Sequence, residues 1–148
     1  MRTPTPARFR SPRRLMQKVD GSPTEFAETV QIVDWLRWHK VLVIHVPNEG
    51  KRSRRLGAWM RRAGLRKGAS DLVIFDPPPK CIGHGTENCT VFHPGTVIEM
   101  KTAGERPDED QLEFLDLMRQ RRWLAFVCWS AEEARAVCEK LGYGRGRL

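Results

Sequence analysis

Thr96-Val97-Ile98-Glu99-Met100-Lys101 is a short β-branched, apolar run broken by one carboxylate and one ammonium. Strand side chains alternate between faces, so Glu99 and Lys101 point one way while Ile98 and Met100 enter the opposite layer. Two charges on a mostly buried strand are costly to desolvate and are seldom kept for packing alone. Upstream, Ser70-Asp71-Leu72-Val73-Ile74-Phe75 has the same strand character and carries Asp71 at its edge. Two carboxylates and a lysine on neighbouring strands are suited to holding a divalent cation beside a phosphodiester. The competing explanation is a buried Asp–Lys or Glu–Lys ion pair.

Around these strands the punctuation of the chain is clear. Ser22-Pro23-Thr24-Glu25 predicts a helix start, with Ser22 as N-cap and Pro23 at the first helical position. That helix is expected to reach about His39, with Phe26, Val30, Val33 and Leu36 facing the core. Val41–Val46 is the first expected strand, and a helix near Arg52 to Ala63 follows, with Leu56, Trp59 and Met60 inward and Gly64 ending it. Pro77-Pro78-Pro79 stops the Asp71 strand, and a loop or hairpin extends to about Gly95. Asp108 with Gln111 three residues on predicts another capping box, for a helix whose apolar side is Leu112, Phe114, Leu115 and Met118. Leu124–Trp129 is the last strand. Ser130-Ala131-Glu132-Glu133 caps a final helix ending near Leu141-Gly142. Alternating helices and strands of this kind indicate an α/β fold.

The 148 residues fit one domain with a single core, expected over 22–148 behind a basic flexible arm at 1–21. Residues 1–20 carry a net +5 and residues 51–70 a net +8, while the remainder sums to −5. Two basic blocks on a slightly acidic body form an electrostatic footprint for a polyanion, and the second lies directly before Asp71. No apolar run approaches the roughly 20 residues of a membrane span, so no membrane association is expected. The four cysteines and the absence of a secretory pattern lead us to expect a cytoplasmic protein with reduced thiols.

Phosphodiester hydrolysis needs neutralised phosphate charge, an activated water and a stabilised leaving oxygen. Asp71 and Glu99 are hard oxygen donors for Mg²⁺, the Met100 carbonyl between Glu99 and Lys101 is a third candidate, and Lys101 can orient or deprotonate water or offset developing charge. Here the chain resembles the PD-(D/E)XK nuclease superfamily, and within it the VRR-NUC (virus-type replication-repair nuclease) family. The resemblance covers about residues 24–142. It rests on Thr24-Glu25, His45-Val46-Pro47-Asn48-Glu49-Gly50, Gly64–Leu72, Ile98-Glu99-Met100-Lys101, Gln111 and the stretch Ser130–Ala134.

The resemblance implies a restriction-endonuclease-like core, a mixed central sheet flanked by helices, and Mg²⁺- or Mn²⁺-dependent DNA cleavage. It puts Asp71, Glu99 and Lys101 on active-site positions, with Gln111 as a supporting polar residue. Glu25 corresponds to the family's first-helix acid, a metal ligand through water, although Glu28 lies one turn on and is an alternative. Ser70 stands where the superfamily name has proline.

Arg52, Arg55, Arg61, Arg62 and Lys67, with Asn48, are the candidate DNA contacts. Branched or flapped DNA is the expected partner and a homodimer the expected assembly. The loop over 76–95 holds Cys81, His84, Cys89 and His93, four candidate ligands for structural zinc within thirteen residues. Cys128 and Cys138 are expected to be small apolar fillers, and the five tryptophans mostly core or sheet-covering. A non-catalytic nucleic-acid-binding module and a sequence-specific restriction-type nuclease are the alternatives.

Overall fold

Four strands form one mixed sheet in sequence order: β1 (Val43–His45), β2 (Leu72–Ile74), β3 (Thr96–Met100) and β4 (Leu124–Cys128). β1–β2 and β2–β3 pair antiparallel, with Leu72 opposite Ile98, while β3 and β4 run parallel, with Glu99 opposite Val127. The helices described in full are α1 (Glu25–Trp38), α2 (Arg54–Arg62), α3 (Glu109–Gln120) and α4 (Ala131–Lys140). This computed structural model describes residues 16–18, 20–47, 53–80 and 91–145. The α/β architecture is the expected one.

Alternation along β3 sorts the core into two layers. Ile98 and Met100 join Leu72 and Ile74 against Ile32, Val33 and Leu36 of α1 and Ala134 and Cys138 of α4. On the other face Val97 and Ala125 meet Leu115 of α3. Cys128 and Cys138 are both buried free thiols filling the larger layer, as expected. Burial pushes each thiol up to about 12, which keeps it uncharged and unreactive.

Several local expectations are corrected. Thr24, not Ser22, caps α1: its hydroxyl accepts from the Ala27 amide at 3.1 Å. Ser22 is occupied elsewhere, donating its amide and its hydroxyl to Asp20 at 2.9 and 2.6 Å. Because α1 packs on the sheet and on α4 at once, its buried arc is Ala27, Thr29, Ile32, Val33 and Leu36, and Phe26 is exposed. The strands are shorter than expected at their ends, where some flanking amides bond to side chains. The Leu42 amide, for example, donates to the Asp76 carboxylate. Trp38, Trp59 and Trp129 are exposed rather than sheet-covering. Of the expected arm, residues 1–15 and 19 lie outside the described residues; beyond them Gln17 bridges Pro23, and the Thr24 amide donates to the Met16 carbonyl.

α2 departs furthest from expectation. Ser53 caps it and no residue in it is buried, although Leu56, Trp59 and Met60 are spaced as an inward face. The two faces of the sheet are already covered, one by α1 with α4 and the other by α3, so α2 has no layer to enter. α3 starts at its full Asp108–Gln111 capping box, but Leu112 is exposed. α4 uses half of its expected box: Ser130 caps, whereas the Glu133 carboxylate accepts from the Trp129 amide at 2.8 Å.

Candidate active site

The C-terminal end of β3 gathers the charged residues. One step beyond the last registered pair, Leu72 with Ile98, the antiparallel ladder sets Asp71 opposite Glu99. Asp71 Oδ2 accepts from the Met100 amide at 2.8 Å, which ties this carboxylate to β3. Lys101 follows the strand and stays on the Glu99 side, its Nζ 2.8 Å from Glu99 Oε1 and 3.7 Å from Glu25 Oε2. Glu99 and Lys101 are 0% and 6% exposed. Gln111, on the first turn of α3, donates its side-chain amide to the same Glu99 oxygen while its own oxygen accepts from the Asp108 amide. One residue therefore both caps the helix and fixes the Glu99 rotamer.

The two first-helix acids have separate occupations. Glu25 lies beside Lys101, whereas Glu28 Oε2 accepts from the Ala131 amide at 2.6 Å and binds the start of α4 to α1. Their charges matter to the site. Burial first, then the neighbouring Asp71 charge, pushes the Glu99 carboxyl up to about 7, with Glu25 adding to the rise and Lys101 opposing it. Burial alone would lower the Lys101 pKa, but the hydrogen bond and charge of Glu99, then Glu25 and Asp71, outweigh it and hold the ammonium above its usual value.

The donor set fits a divalent cation on two observations. Glu99 Oε2 is buried and has no hydrogen-bond partner, because Lys101 and Gln111 both use Oε1. Three carboxylates also share the site with one ammonium, an excess of negative charge that raises the Glu99 pKa. Among the described residues the other buried side-chain atom without a partner is Ser70 Oγ, immediately before Asp71. Buried orphan polar atoms are rare in native proteins and point to a missing ligand or water.

The remaining candidates divide. Arg55, Arg61 and Arg62 are exposed on α2, and Lys67 pairs with Asp110 of α3. Asn48, Arg52, Cys81, His84 and Cys89 lie outside the described residues. His93 Nδ1 sits 2.6 Å from the Arg122 carbonyl. Among the described residues no three His, Cys, Asp or Glu side chains are arranged as a ready metal cage.

The sequence reading missed Lys18. Its Nζ donates to Thr102 Oγ1 at 2.6 Å, one residue past Lys101, and Thr102 in turn donates to Glu105 Oε2. Nothing in a basic arm marks one lysine among its arginines, since the contact spans 84 positions. Among the described residues no helix is long and apolar enough to cross a membrane.

The family model described as "VRR-NUC domain" matches residues 24–132. A solved structure titled "VRR_NUC domain protein" superposes with a TM-score of 0.53 at 19% identity, covering 80% of this chain and 88% of that one. No curated protein matches the chain. With the family model spanning well over half of its length, the chain belongs to the VRR-NUC family, a family of nucleases.

Proposed function

We propose that this protein is a Mg²⁺- or Mn²⁺-dependent endonuclease that hydrolyses phosphodiester bonds in branched or flapped DNA. The observation that carries the proposal is the buried Glu99 carboxylate, with one oxygen held by Lys101 and Gln111 and the other without a partner, across the ladder from Asp71. A divalent cation bound there would neutralise phosphate charge and lower the pKa of a bound water. Asp71 and Glu99 would hold it, with the Met100 carbonyl as third ligand and Glu25 acting through water.

The chain's own residues do the rest. Gln111 and Lys101 fix the Glu99 carboxylate in one rotamer, so its free oxygen needs no rearrangement to bind. Lys101, kept as an ammonium, orients the attacking water and offsets charge gathering on the phosphoryl oxygens. Water adds to phosphorus and gives up one proton to solvent, one P–O ester bond breaks, and the leaving oxygen takes up one proton from solvent, so the protons balance. Arg55, Arg61 and Arg62 approach the phosphate backbone without reading bases, so affinity should fall steeply with salt. A symmetric homodimer would set two such sites on two strands.

The test uses flap, four-way-junction and blunt duplex DNA with the wild type, Asp71→Ala and Lys101→Ala. The wild type should cut the branched substrates in Mg²⁺, and each variant should lose at least about 10²-fold in rate while still binding. Binding without cleavage by the wild type in either Mg²⁺ or Mn²⁺ would mean a non-catalytic binding module. A cut at one fixed sequence in linear duplex would point to a restriction-type nuclease.

A further inference from the structure

α2 has no buried residue and only Gly57 and Met60 are half-buried, yet it carries the apolar spacing of a buried helix. Leu56 is 51% exposed and Trp59 60% exposed. The Arg62 guanidinium lies over the Trp59 ring at 5.6 Å from its centroid. The helix has no acidic residue, and among the described residues no carboxylate pairs with Arg54, Arg55, Arg61 or Arg62. A protein partner would have to bring its own acidic surface to this face; a polyanion with flat apolar rings matches both features at once.

The topology tethers this helix at both ends beside the candidate site. β1 ends at His45, whose partner in the ladder is Leu72, and the Val46 amide donates to the Asp71 carbonyl at 2.7 Å. The chain leading into α2 thus leaves the sheet beside Asp71, and the chain leading out returns to Asp71. That return segment is clamped to the start of α3: Arg66 pairs with Glu113 at 3.4 Å, Lys67 pairs with Asp110, and a Cβ at Gly68 would run into the Asp110 backbone. Both tethers are therefore anchored next to Asp71 and Gln111.

We propose that Trp59, backed by Arg62, is a stacking platform for an unpaired base of the DNA substrate, with Arg54, Arg55 and Arg61 on the flanking phosphates. This rests on the nuclease assignment and deepens it: the helix selects DNA with single-stranded nucleotides beside the scissile bond. Every base has a π-face, so the platform is tolerant of sequence but blind to a base still stacked in a duplex.

The test measures binding by fluorescence anisotropy with EDTA present, so that it is independent of cleavage. The probes are a single-stranded oligothymidylate, a blunt duplex and the same duplex bearing an unpaired flap. Trp59→Ala should weaken the single strand and the flap about tenfold, as expected for one lost stacking contact, and leave the blunt duplex within about twofold. Trp59→Phe should recover most of the loss. Arg54→Ala with Arg55→Ala should weaken all three probes and flatten the salt slope by about two.

Equal losses on all probes after Trp59→Ala, or no loss on any, would overturn the inference. So would sedimentation showing that Trp59→Ala dissociates a dimer, which would make this face a contact between copies. Failure of the nuclease assignment is separate: it would appear as absent cleavage with the probe preferences intact.

Discussion

If Glu99 serves the proposed nuclease site, it sets stability against that role, and replacing it with glutamine measures the conflict. Its carboxyl is pushed up to about 7, from an ordinary value of 4.5, by burial and then by Asp71. Below pH 4.5 it is neutral both folded and unfolded, and contributes nothing. Between 4.5 and about 7 the unfolded chain releases a proton that the folded chain keeps, so the fold loses stability as pH rises. Above that window the whole penalty, about 3 kcal/mol, bears on the folded state.

Glu99→Gln retains a side-chain oxygen for Gln111 and Lys101 but removes the charge, and Lys101 keeps Glu25 3.7 Å away. The carboxamide nitrogen, set where Oε2 has no partner, takes back part of the gain, leaving roughly 1–3 kcal/mol at pH 8.5 in EDTA. For a chain of this size that is a Tm increase of roughly 3–10 °C. Thermal unfolding of both proteins at pH 5 and 8.5 is the assay, followed by addition of Mg²⁺. The Tm advantage of the variant should be small at pH 5, grow to pH 8.5, and shrink with Mg²⁺ as the cation stabilises only the wild type. A difference independent of pH, or a variant less stable than wild type at pH 8.5, would refute the reasoning. A gain in stability on removing an active-site charge is the expected form of an activity–stability trade-off.

The split between the first-helix acids predicts opposite signatures. Glu28→Ala, by stranding the Ala131 amide, should cost about 1–2 kcal/mol in urea unfolding with little change in turnover, while Glu25→Ala should lower cleavage rate about tenfold or more with a smaller stability change. Gly68 has φ +74 and a backbone neighbour where its Cβ would go, so Gly68→Ala should destabilise by more than about 2 kcal/mol and depress cleavage by moving Asp71 relative to Gln111. Denaturant midpoints and single-turnover rates check both effects. Lys18→Ala should weaken binding to every DNA tested by a similar factor and reduce the salt slope by about one, as anisotropy across a salt series would reveal.

Much of the molecule was legible in local chemistry. The alternation of Ile98 and Met100 against Glu99 and Lys101 is a property of extended backbone, and the structure puts Ile98 and Met100 in the layer under α1 and α4. The Asp108–Gln111 capping box is equally local: it needs only side chains three residues apart, and it forms in full. Ser22 misled because it also has a local competitor, Asp20, two residues away.

What tertiary structure decided was which local signals met a partner. Spacing made α2 an amphipathic helix, but only the occupancy of both sheet faces by α1, α3 and α4 left it exposed with Trp59 outward. Glu25 and Glu28 are indistinguishable as helix residues, and the approach of α4 alone assigned Glu28 to Ala131 and left Glu25 beside Lys101. Gln111 on Glu99 and Lys18 on Thr102 join residues 12 and 84 positions apart. Hydrogen-bond geometry and backbone periodicity act over three or four residues, so a sequence determines caps and faces by itself. Desolvation and charge proximity depend on what the folded chain brings alongside, and they gave Glu99 its surroundings.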